Sequence, residues 1–307
     1  MNKLKAIILT SVILVSITGC GGSSTSGTVQ PAQSVVSTSD STASETTAAS
    51  TQSSTESGSK SESVEETVLV DENGIKITAK ELDAKGIMGP SLKLLIENDS
   101  EQDLTVQCRN SSVNGYMIDT SLSAEVASGK KANASLSFSK SDLSACGIQQ
   151  IVDMEFSFHV FYTDSWETYF DSAKIELLTS ASDGYDYTFD DSGDLAYEGN
   201  DIRIVVKGLS DNASFLGPGI TVYVENNSDL DAAVQVRNVS VNGFMIDPTF
   251  SCEVCAGKRA IDAITFMKSQ LEENGIEAIQ DVELSFHIFE SHGWDTIVDT
   301  ETIQLSF

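Results

Sequence analysis

The stretch RNSSVNGYMID, from Arg109 to Asp119, recurs almost unchanged as RNVSVNGFMID, from Arg237 to Asp247. Asn-Gly is the residue pair that best tolerates positive φ at both central positions of a type I′ turn, so Asn114-Gly115 and its copy are each predicted to close a hairpin. The apolar residues change parity just before the second turn, which indicates a β-bulge or strand break at Arg237-Asn238. The turn and apolar positions of the stretch are therefore typical of scaffold.

The repetition extends far beyond this stretch. Residues from Gly89 to Leu177 align without a gap with those from Gly217 to Leu305, and nearly half of the pairs are identical, which indicates a duplication. The predicted boundaries are 67–180 for the first repeat, 181–193 for an acidic, turn-rich linker and 194–307 for the second repeat. Each repeat has the size of one small domain.

Within each repeat the apolar residues recur mostly with a period of two, in short runs separated by turn residues. One short helical segment interrupts them. We expect Ser141 or Ser269 to cap its start, and Gly147 or Gly275 to end it in the left-handed conformation. The pattern predicts an all-β fold of two tandem antiparallel β-sandwiches, each with one short helix.

The chain begins with two lysines, a short apolar run and small residues that end at Cys20. The apolar run is too short to span a membrane and is typical of a secretory signal. Its last four residues, ITGC, resemble the lipobox of bacterial lipoproteins. The resemblance implies removal of residues 1–19 and lipidation of Cys20, and attachment by two or more acyl chains is durable. We expect the protein to be anchored to the outer face of the bacterial cell membrane.

Residues 20–66 are predicted to form a disordered tether behind the lipid. About half of the positions from Gly21 to Glu66 are Ser or Thr, with almost no aromatic or large aliphatic side chains, so this segment has no means of forming a core.

The chain is strongly acidic, with 46 Asp and Glu against 18 Lys and Arg and a formal net charge of -28. Nucleic acids and anionic lipid headgroups are disfavoured as partners, because both need a basic surface. A solvated, soluble surface is the simplest interpretation of this charge, and binding of cations or basic proteins is the alternative.

Two short patterns carry a resemblance to a known class of module: the strand end IENDS or VENNS, and the hairpin VNGYMID or VNGFMID. With them the chain from about residue 67 to 307 resembles the immunoglobulin-like or telokin-like modules found in tandem in Gram-positive bacterial lipoproteins. The resemblance implies an immunoglobulin-like architecture and no catalytic residues.

A hydrolytic site is suggested by Glu155, Ser157 and His159, which recur as Glu283, Ser285 and His287. Residues two apart on a strand lie about 6.8 Å apart, whereas a nucleophile must approach its base within about 3.2 Å. We therefore interpret both sets as the outer face of a strand and predict no enzyme activity.

Metal-ligating side chains occur at two kinds of position. The set Cys252, Cys255, His287 and His292 lacks zinc-finger spacing. The acidic loops that begin at Asp190 and Asn226 lack the order of an EF-hand and are more typical of turns. No metal and no cofactor are predicted.

The cysteines beyond Cys20 leave one question open. The favoured interpretation is small, partly buried thiols kept reduced, and a bond between Cys108 and Cys146 is the alternative, because disulfides persist outside the cytoplasm.

Six residues form the candidate contact surface: Trp166, Trp294, Tyr116, Phe244, Arg109 and Arg237. The tryptophans are expected to fill the end of the core, and if exposed they are the best candidates for stacking on a sugar or peptide. The sequence predicts a non-catalytic binding, adhesion or spacer protein with a cell-wall or protein ligand. The alternative is a solute receptor or an accessory protein of a cell-envelope enzyme.

Overall fold

The computed structural model describes residues 62–86 and 89–307. The predicted signal peptide at 1–19, the predicted lipidation site at Cys20 and the predicted tether up to residue 61 lie outside the described residues.

The described residues of the first repeat form eleven strands and one helix. They are β1 (Thr67–Glu72), β2 (Ile75–Asp83), β3 (Ser91–Asn98), β4 (Leu104–Val113), β5 (Tyr116–Met117), β6 (Thr120–Ser121), β7 (Ser123–Val126), β8 (Lys130–Phe138), α1 (Lys140–Ala145), β9 (Asp153–Tyr162), β10 (Thr168–Asp171) and β11 (Ile175–Leu178).

The second repeat reproduces this order except for β6, whose place is taken by a single bridge between Thr249 and Thr265. Its elements are β12 (Asp194–Gly199), β13 (Ile202–Ser214), β14 (Gly217–Asn226), β15 (Ala232–Val241), β16 (Phe244–Met245), β17 (Ser251–Val254), β18 (Arg259–Thr265), α2 (Lys268–Glu273), β19 (Asp281–Glu290), β20 (Thr296–Asp299) and β21 (Ile303–Ser306).

Each repeat is a sandwich of antiparallel sheets around its own apolar core. In the first repeat the sheet β1-β2-β3-β8-β6 packs on the sheet that contains β10-β9-β4, and in the second repeat β18-β14-β13-β12 packs on β16-β15-β19-β20. The side chains of β9 show how the sheets pack, because they alternate between the two faces. Phe156 and Phe158 are fully buried in the core, whereas Glu155 and Ser157 point to the other face. The predicted all-β fold with two short helices is confirmed.

The asparagine of each predicted hairpin does more than turn the chain. Asn114 has φ of 49° and Gly115 has φ of 81°, as a type I′ turn requires. The Asn114 amide also donates to Gln150 O at 2.7 Å and accepts from Val152 N at 2.8 Å, so it fixes the hairpin to the start of β9. Asn242 makes the equivalent bonds to residues 278–281. The turn positions of the stretch therefore have a structural role in both repeats.

A second buried asparagine explains why both copies share the strand-end motif, IENDS in the first and VENNS in the second. The Asn98 side chain donates to Gln102 O and Val126 O and accepts from the backbone and hydroxyl of Ser100. Asn226 makes the same four bonds in the second repeat. Because a buried amide is costly unless it is bonded, this complete satisfaction fixes the turn between the two sheets.

The predicted bulge is also confirmed. Both copies of the ladder shift register, between Arg109 and Ser112 in β4 and between Arg237 and Ser240 in β15. The extra residue is an asparagine in the left-handed region in each copy, with φ of 52° at Asn110 and 53° at Asn238.

The helix caps differ from the prediction. Helix α1 begins at Lys140 with Ser139 as its N-cap, so Ser141 lies inside the helix, and Met267 precedes α2 without a side-chain cap. Strand β8 ends at Phe138 and β18 ends at Thr265, three and four residues before the predicted caps, so each helix begins before its predicted serine. The helix ends are as predicted, with φ of 68° at Gly147 and 69° at Gly275.

No helix in residues 62–86 and 89–307 has the length and apolar content that crossing a bilayer demands.

The folded region begins before the predicted boundary at residue 67. The Glu62 carboxylate accepts from Ile151 N at 3.1 Å, and Ser63 O accepts from Ser180 N at 2.8 Å. Val64 packs against the core of the first repeat. The last residues assigned to the tether are therefore part of the first sandwich.

The two repeats share one compact unit, because the parallel pairing of β5 with β18 joins their sheets into a single ten-stranded sheet. Arg259 carries this junction. Its backbone N donates to Gly115 O at 3.0 Å, its guanidinium lies 3.8 Å from the ring centroid of Phe189, and it donates to Glu225 at 2.7 Å. Tyr116 packs edge-to-face on Phe189, at 5.4 Å between ring centroids. Phe189 belongs to the linker, which therefore forms part of the junction.

A second contact of the junction is an ion pair between Lys258 and Glu155, whose side chains are both largely buried. Lys174 lies 2.8 Å from the other carboxylate oxygen. Burial alone would raise the pKa of Glu155, but the hydrogen bonds from Lys174 and Lys258 bring this pKa below its ordinary value. A buried pair of this kind resists separation, because a lone buried charge is strongly disfavoured.

Candidate functional site

The two tryptophans are exposed, so the expectation that they fill the core is wrong. The Trp166 side chain is 73% exposed and that of Trp294 is 74% exposed. Each lies in the loop between two hydrogen-bonded strands, β9 and β10 in the first repeat or β19 and β20 in the second. They are placed in equivalent positions on the two repeats, where a ligand has direct access to the ring.

The backbone holds Trp166 in an unusual conformation. Its φ is 64°, and that of Trp294 is 62°, in the left-handed region where glycine and asparagine are the ordinary residues. The turn fixes this conformation, since Trp166 N donates to Tyr162 O at 2.9 Å and Tyr162 N donates to Glu167 O at 3.0 Å. A bulky residue in this region costs stability, and such positions are concentrated at functional sites.

One face of each tryptophan rests on a phenylalanine. The rings of Trp166 and Phe161 stack with centroids 5.4 Å apart and planes 17° apart, and Phe161 stacks in turn on His159 at 5.3 Å. The second repeat repeats this arrangement, with Trp294 on Phe289 at 5.6 Å and Phe289 on His287 at 5.0 Å. We name each stack of tryptophan, phenylalanine and histidine an aromatic ladder. The high exposure of the tryptophan leaves its second face open to solvent.

The inner end of each ladder is fixed by polar contacts. His159 Nδ1 lies 2.6 Å from Asp171 Oδ1, and Arg109 Nη1 lies 3.9 Å from the same oxygen. This cluster orients the histidine on which the stack is built, and the sequence candidates Arg109 and Trp166 therefore belong to one network.

The second ladder ends in the same way. His287 Nδ1 is 2.7 Å from Asp299 Oδ1, and Arg237 Nη1 is 3.4 Å from it. Arg237 and Trp294 are therefore linked as Arg109 and Trp166 are in the first repeat.

The hairpin aromatics have different environments in the two repeats. Tyr116 is buried in the junction, where burial, with Tyr223 nearby, raises its pKa to about 12. It is therefore not available as a contact residue, contrary to the prediction. Phe244, its counterpart, is 47% exposed.

The suspected hydrolytic residues do not form a catalytic arrangement. Ser157 Oγ is 3.4 Å from Arg109 O, and Ser285 Oγ donates to Arg237 O at 3.2 Å, so neither hydroxyl is directed to its histidine. His159 is occupied with Asp171 and Phe161. The prediction that these residues belong to the outer face of the sheet agrees with this geometry.

Within the described part of the chain no three His, Cys, Asp or Glu side chains are grouped so that they could hold a metal ion. The Asp190 loop is a turn, in which Asp190 accepts from Ser192 and pairs with Lys207 at 3.0 Å. The hydrogen bonds from Ser192 and Lys207 lower the pKa of Asp190 to about 2.

All four cysteines of residues 62–86 and 89–307 are free, including the pair Cys108 and Cys146 for which a bond was an alternative. Burial raises the pKa of Cys108 to about 11 and that of Cys146 to about 12, and burial also raises the pKa of Cys252 and Cys255. All four are therefore thiols of low reactivity at neutral pH.

Sequence reasoning identified the two ends of each ladder and missed the residues between them. Phe161 and Phe289 follow the histidines by two positions, which places all of them on the same face of the strand. The recurrence of this spacing before a tryptophan in both copies is the signal that could have revealed the ladders. The junction residues Arg259 and Phe189 had no such signal, because contacts between repeats leave no periodic pattern.

No family model and no curated protein matches the chain. Among solved structures, the chain is similar to the chaperone YadV at 10% sequence identity and a TM-score of 0.23, over 71% of this chain and 92% of the chaperone chain. It is also similar to a protein of unknown function from Porphyromonas gingivalis W83 at 11% identity and a TM-score of 0.19, over 71% of this chain and 91% of the other. These similarities do not indicate a function.

Proposed function

We propose that this protein is a non-catalytic binding protein of the bacterial cell surface that uses Trp166 and Trp294 as two platforms for a polysaccharide. The observation that carries the proposal is the shared geometry of the two rings: each is exposed, stacked on one face and held at positive φ. Stability alone gives no reason to keep a large exposed ring in a strained position twice.

The free face of the ring decides the class of ligand. An indole presents a flat apolar face with a negative quadrupole, which suits a surface of slightly positive C–H groups. A pyranose ring offers such a surface on one face, and its hydroxyls point outward to water or to polar neighbours. The phenylalanine behind each tryptophan fixes the plane of the platform, so the ring does not need to be ordered when the ligand binds.

The junction links the two platforms, because it holds the two repeats together. Shared sheet pairing, the buried Lys258–Glu155 contact and the packing of Arg259 on Phe189 hold the repeats in one unit. When two sites are rigidly linked, the second binding event is intramolecular, and overall affinity can exceed that of either site by about 10²–10⁴-fold. A polymer with repeated sugar units offers one unit to each platform.

The remaining parts of the proposal come from the sequence. The lipobox-like end at Cys20 supports anchoring to the outer face of the cell membrane, and the tether supports presentation away from the bilayer. The absence of a bond between Ser157 and His159 in the described structure supports a binding role over a hydrolytic one.

The test is sedimentation of the full-length chain with insoluble cell-envelope polysaccharide. We expect retention of the wild-type chain, weaker retention of Trp166→Gly and of Trp294→Gly, and none of the double variant. Phe215→Ala is the matched control, because Phe215 is a 97% exposed aromatic residue outside both ladders. Equal retention of the wild type and the double variant refutes the proposal. If Phe215→Ala reduces retention as much as the tryptophan variants do, the chain adsorbs to the polysaccharide non-specifically.

A further inference from the structure

A cleft of about 430 Å³ lies between the repeats, on the side of the bulge in β4. Its lining includes four carboxylates, from Asp119 and Asp142 of the first repeat and from Glu253 and Asp262 of the second. Among the described residues, Arg109 is the one cationic residue of the lining, and it also lies 3.9 Å from Asp171. The cleft therefore has an excess of negative charge, to which each repeat contributes.

The carboxylates act on one another across the cleft. Burial and the neighbouring charge of Asp142 raise the pKa of Asp119, and burial with the charges of Asp119 and Asp142 raises the pKa of Asp262. The Asp142 carboxylate also accepts from Asp119 N at 3.0 Å, so it is fixed in place. Mutual repulsion of this kind is relieved by a bound cation.

The cleft also holds a polar group without a partner. Ser111 lines the cleft, only 6% of the residue is exposed, and its buried Oγ makes no hydrogen bond to any described residue. A buried hydroxyl is costly when it is left unpaired, so this one is available to a ligand that reaches the inner wall.

The duplication shows that the fold does not need two of these groups. Ser111 corresponds to Val239 in the other repeat, and Asp262 corresponds to Ala134. Each counterpart lies on the equivalent strand of the other sandwich, Val239 on β15 and Ala134 on β8. Ser111 and Asp262 are therefore particular to their own repeats, whereas Asp119 and Glu253 each correspond to an acidic residue in the other copy.

We infer that this cleft binds a primary alkylammonium group, carried either by a lysine side chain of a peptide or by a free diamine. The volume is suited to an extended alkyl chain, the carboxylates to its charge, and the unpaired Ser111 hydroxyl to one of its N–H donors. A single metal ion fits less well, because among the described residues no three metal-ligating side chains converge on a point.

Arg109 is expected to compete with the ligand, because its guanidinium lies at the cleft and carries the same charge. Its counterpart Arg237 makes the same contact with its own aspartate and does not line the cleft. The pair therefore offers a matched comparison in which one arginine is removed beside the cleft and the other is removed far from its lining.

The experiment is calorimetric titration of the full-length chain with 1,4-diaminobutane, with an N-acetylated, C-amidated lysine tripeptide and with calcium chloride. We expect saturable binding of the diamine or the peptide, and the tighter of the two identifies the source of the ammonium group. Asp262→Ala and Ser111→Val, which introduce the residues of the other repeat, should each weaken binding by about tenfold, the usual loss for one charge-assisted hydrogen bond. Arg109→Ala should strengthen it, and Arg237→Ala should not change it.

Thermal melting of each variant verifies that it folds, and Asp247→Asn, at the exposed counterpart of Asp119, is the control for removal of a surface charge. The inference is overturned if neither ammonium probe binds, or if a folded Asp262→Ala variant binds as tightly as the wild type. Calcium binding that depends on Asp262 while the ammonium probes fail would assign the cleft to a metal ion and overturn it as well.

Discussion

Replacement of Trp166 by glycine separates a role in stability from a role in binding. Because Trp166 is 73% exposed, the ring buries only about a quarter of a side chain that can bury up to about 250 Å². That is about 60 Å², or about 1.5 kcal/mol at 25 cal/mol per Å². Loss of the stack on Phe161 adds about 1 kcal/mol.

Two backbone effects act in opposite directions. Glycine at φ of 64° avoids a strain of about 1–2 kcal/mol that a residue with a side chain carries in the left-handed region. Its greater freedom in the unfolded chain costs about 0.5–1 kcal/mol. The expected net loss of unfolding free energy for Trp166→Gly is therefore about 1–2.5 kcal/mol, below the 3–5 kcal/mol typical when a buried tryptophan is truncated.

Urea denaturation followed by far-ultraviolet circular dichroism measures this loss, because the signal does not depend on the tryptophan that is removed. Trp166→Ala is the control: it deletes the same ring and keeps the strained backbone, so we expect it to be less stable than Trp166→Gly by about 1 kcal/mol. A loss of 3 kcal/mol or more in Trp166→Gly refutes the reasoning, since the ring would then be a core residue. Equal stability of the two variants would refute the left-handed conformation.

Three further predictions concern the junction and the thiols. Lys258→Ala should lower the unfolding free energy in urea by about 2 kcal/mol, less than the 3–5 kcal/mol usual for a buried pair, because Lys174 stays beside Glu155. The control Lys130→Ala, at an exposed position, should change the unfolding free energy by less than about 0.5 kcal/mol. Equal effects of the two substitutions would contradict a stabilising Lys258–Glu155 pair. The pKa of Glu155 is lowered in the folded protein, so its stabilising contribution is present above the ordinary carboxyl pKa and is lost as the pH falls through the lowered value. The difference in melting temperature between wild type and Lys258→Ala should therefore shrink in that acidic range. A difference that stays constant would show that the Lys258–Glu155 pair is not the cause of the lower melting temperature of the variant. Burial raises the pKa of Cys252, so a thiol reagent at neutral pH should modify it only after unfolding, and rapid modification of the native chain would contradict its burial.

The features that the sequence predicted well are local ones. The Asn114-Gly115 turn, the bulge at Arg237-Asn238 and the left-handed helix ends at Gly147 and Gly275 each depend on the φ preference of one or two residues. Duplication strengthened each signal, because the same residue type stood at the same place twice.

The features that it missed depend on packing between distant segments. Trp166 and Trp294 have no sequence preference for positive φ, so their exposure follows from the hairpin and from stacking on Phe161 and Phe289. Tyr116 is buried for a different reason, because the hairpin of the first repeat meets β18 of the second. No local pattern distinguishes it from Phe244, which occupies the same motif and is exposed.

The most direct test of the central claim uses intrinsic fluorescence, because the chain contains only 2 tryptophans and both are platforms. Emission and acrylamide quenching of the full-length chain are followed as soluble cell-envelope polysaccharide is added. The account predicts a blue shift and protection from the quencher that saturate together, with Trp166→Gly still responding through Trp294 at about 10²-fold lower apparent affinity. Binding of the polysaccharide, detected by calorimetry, without any change in emission or quenching would contradict it.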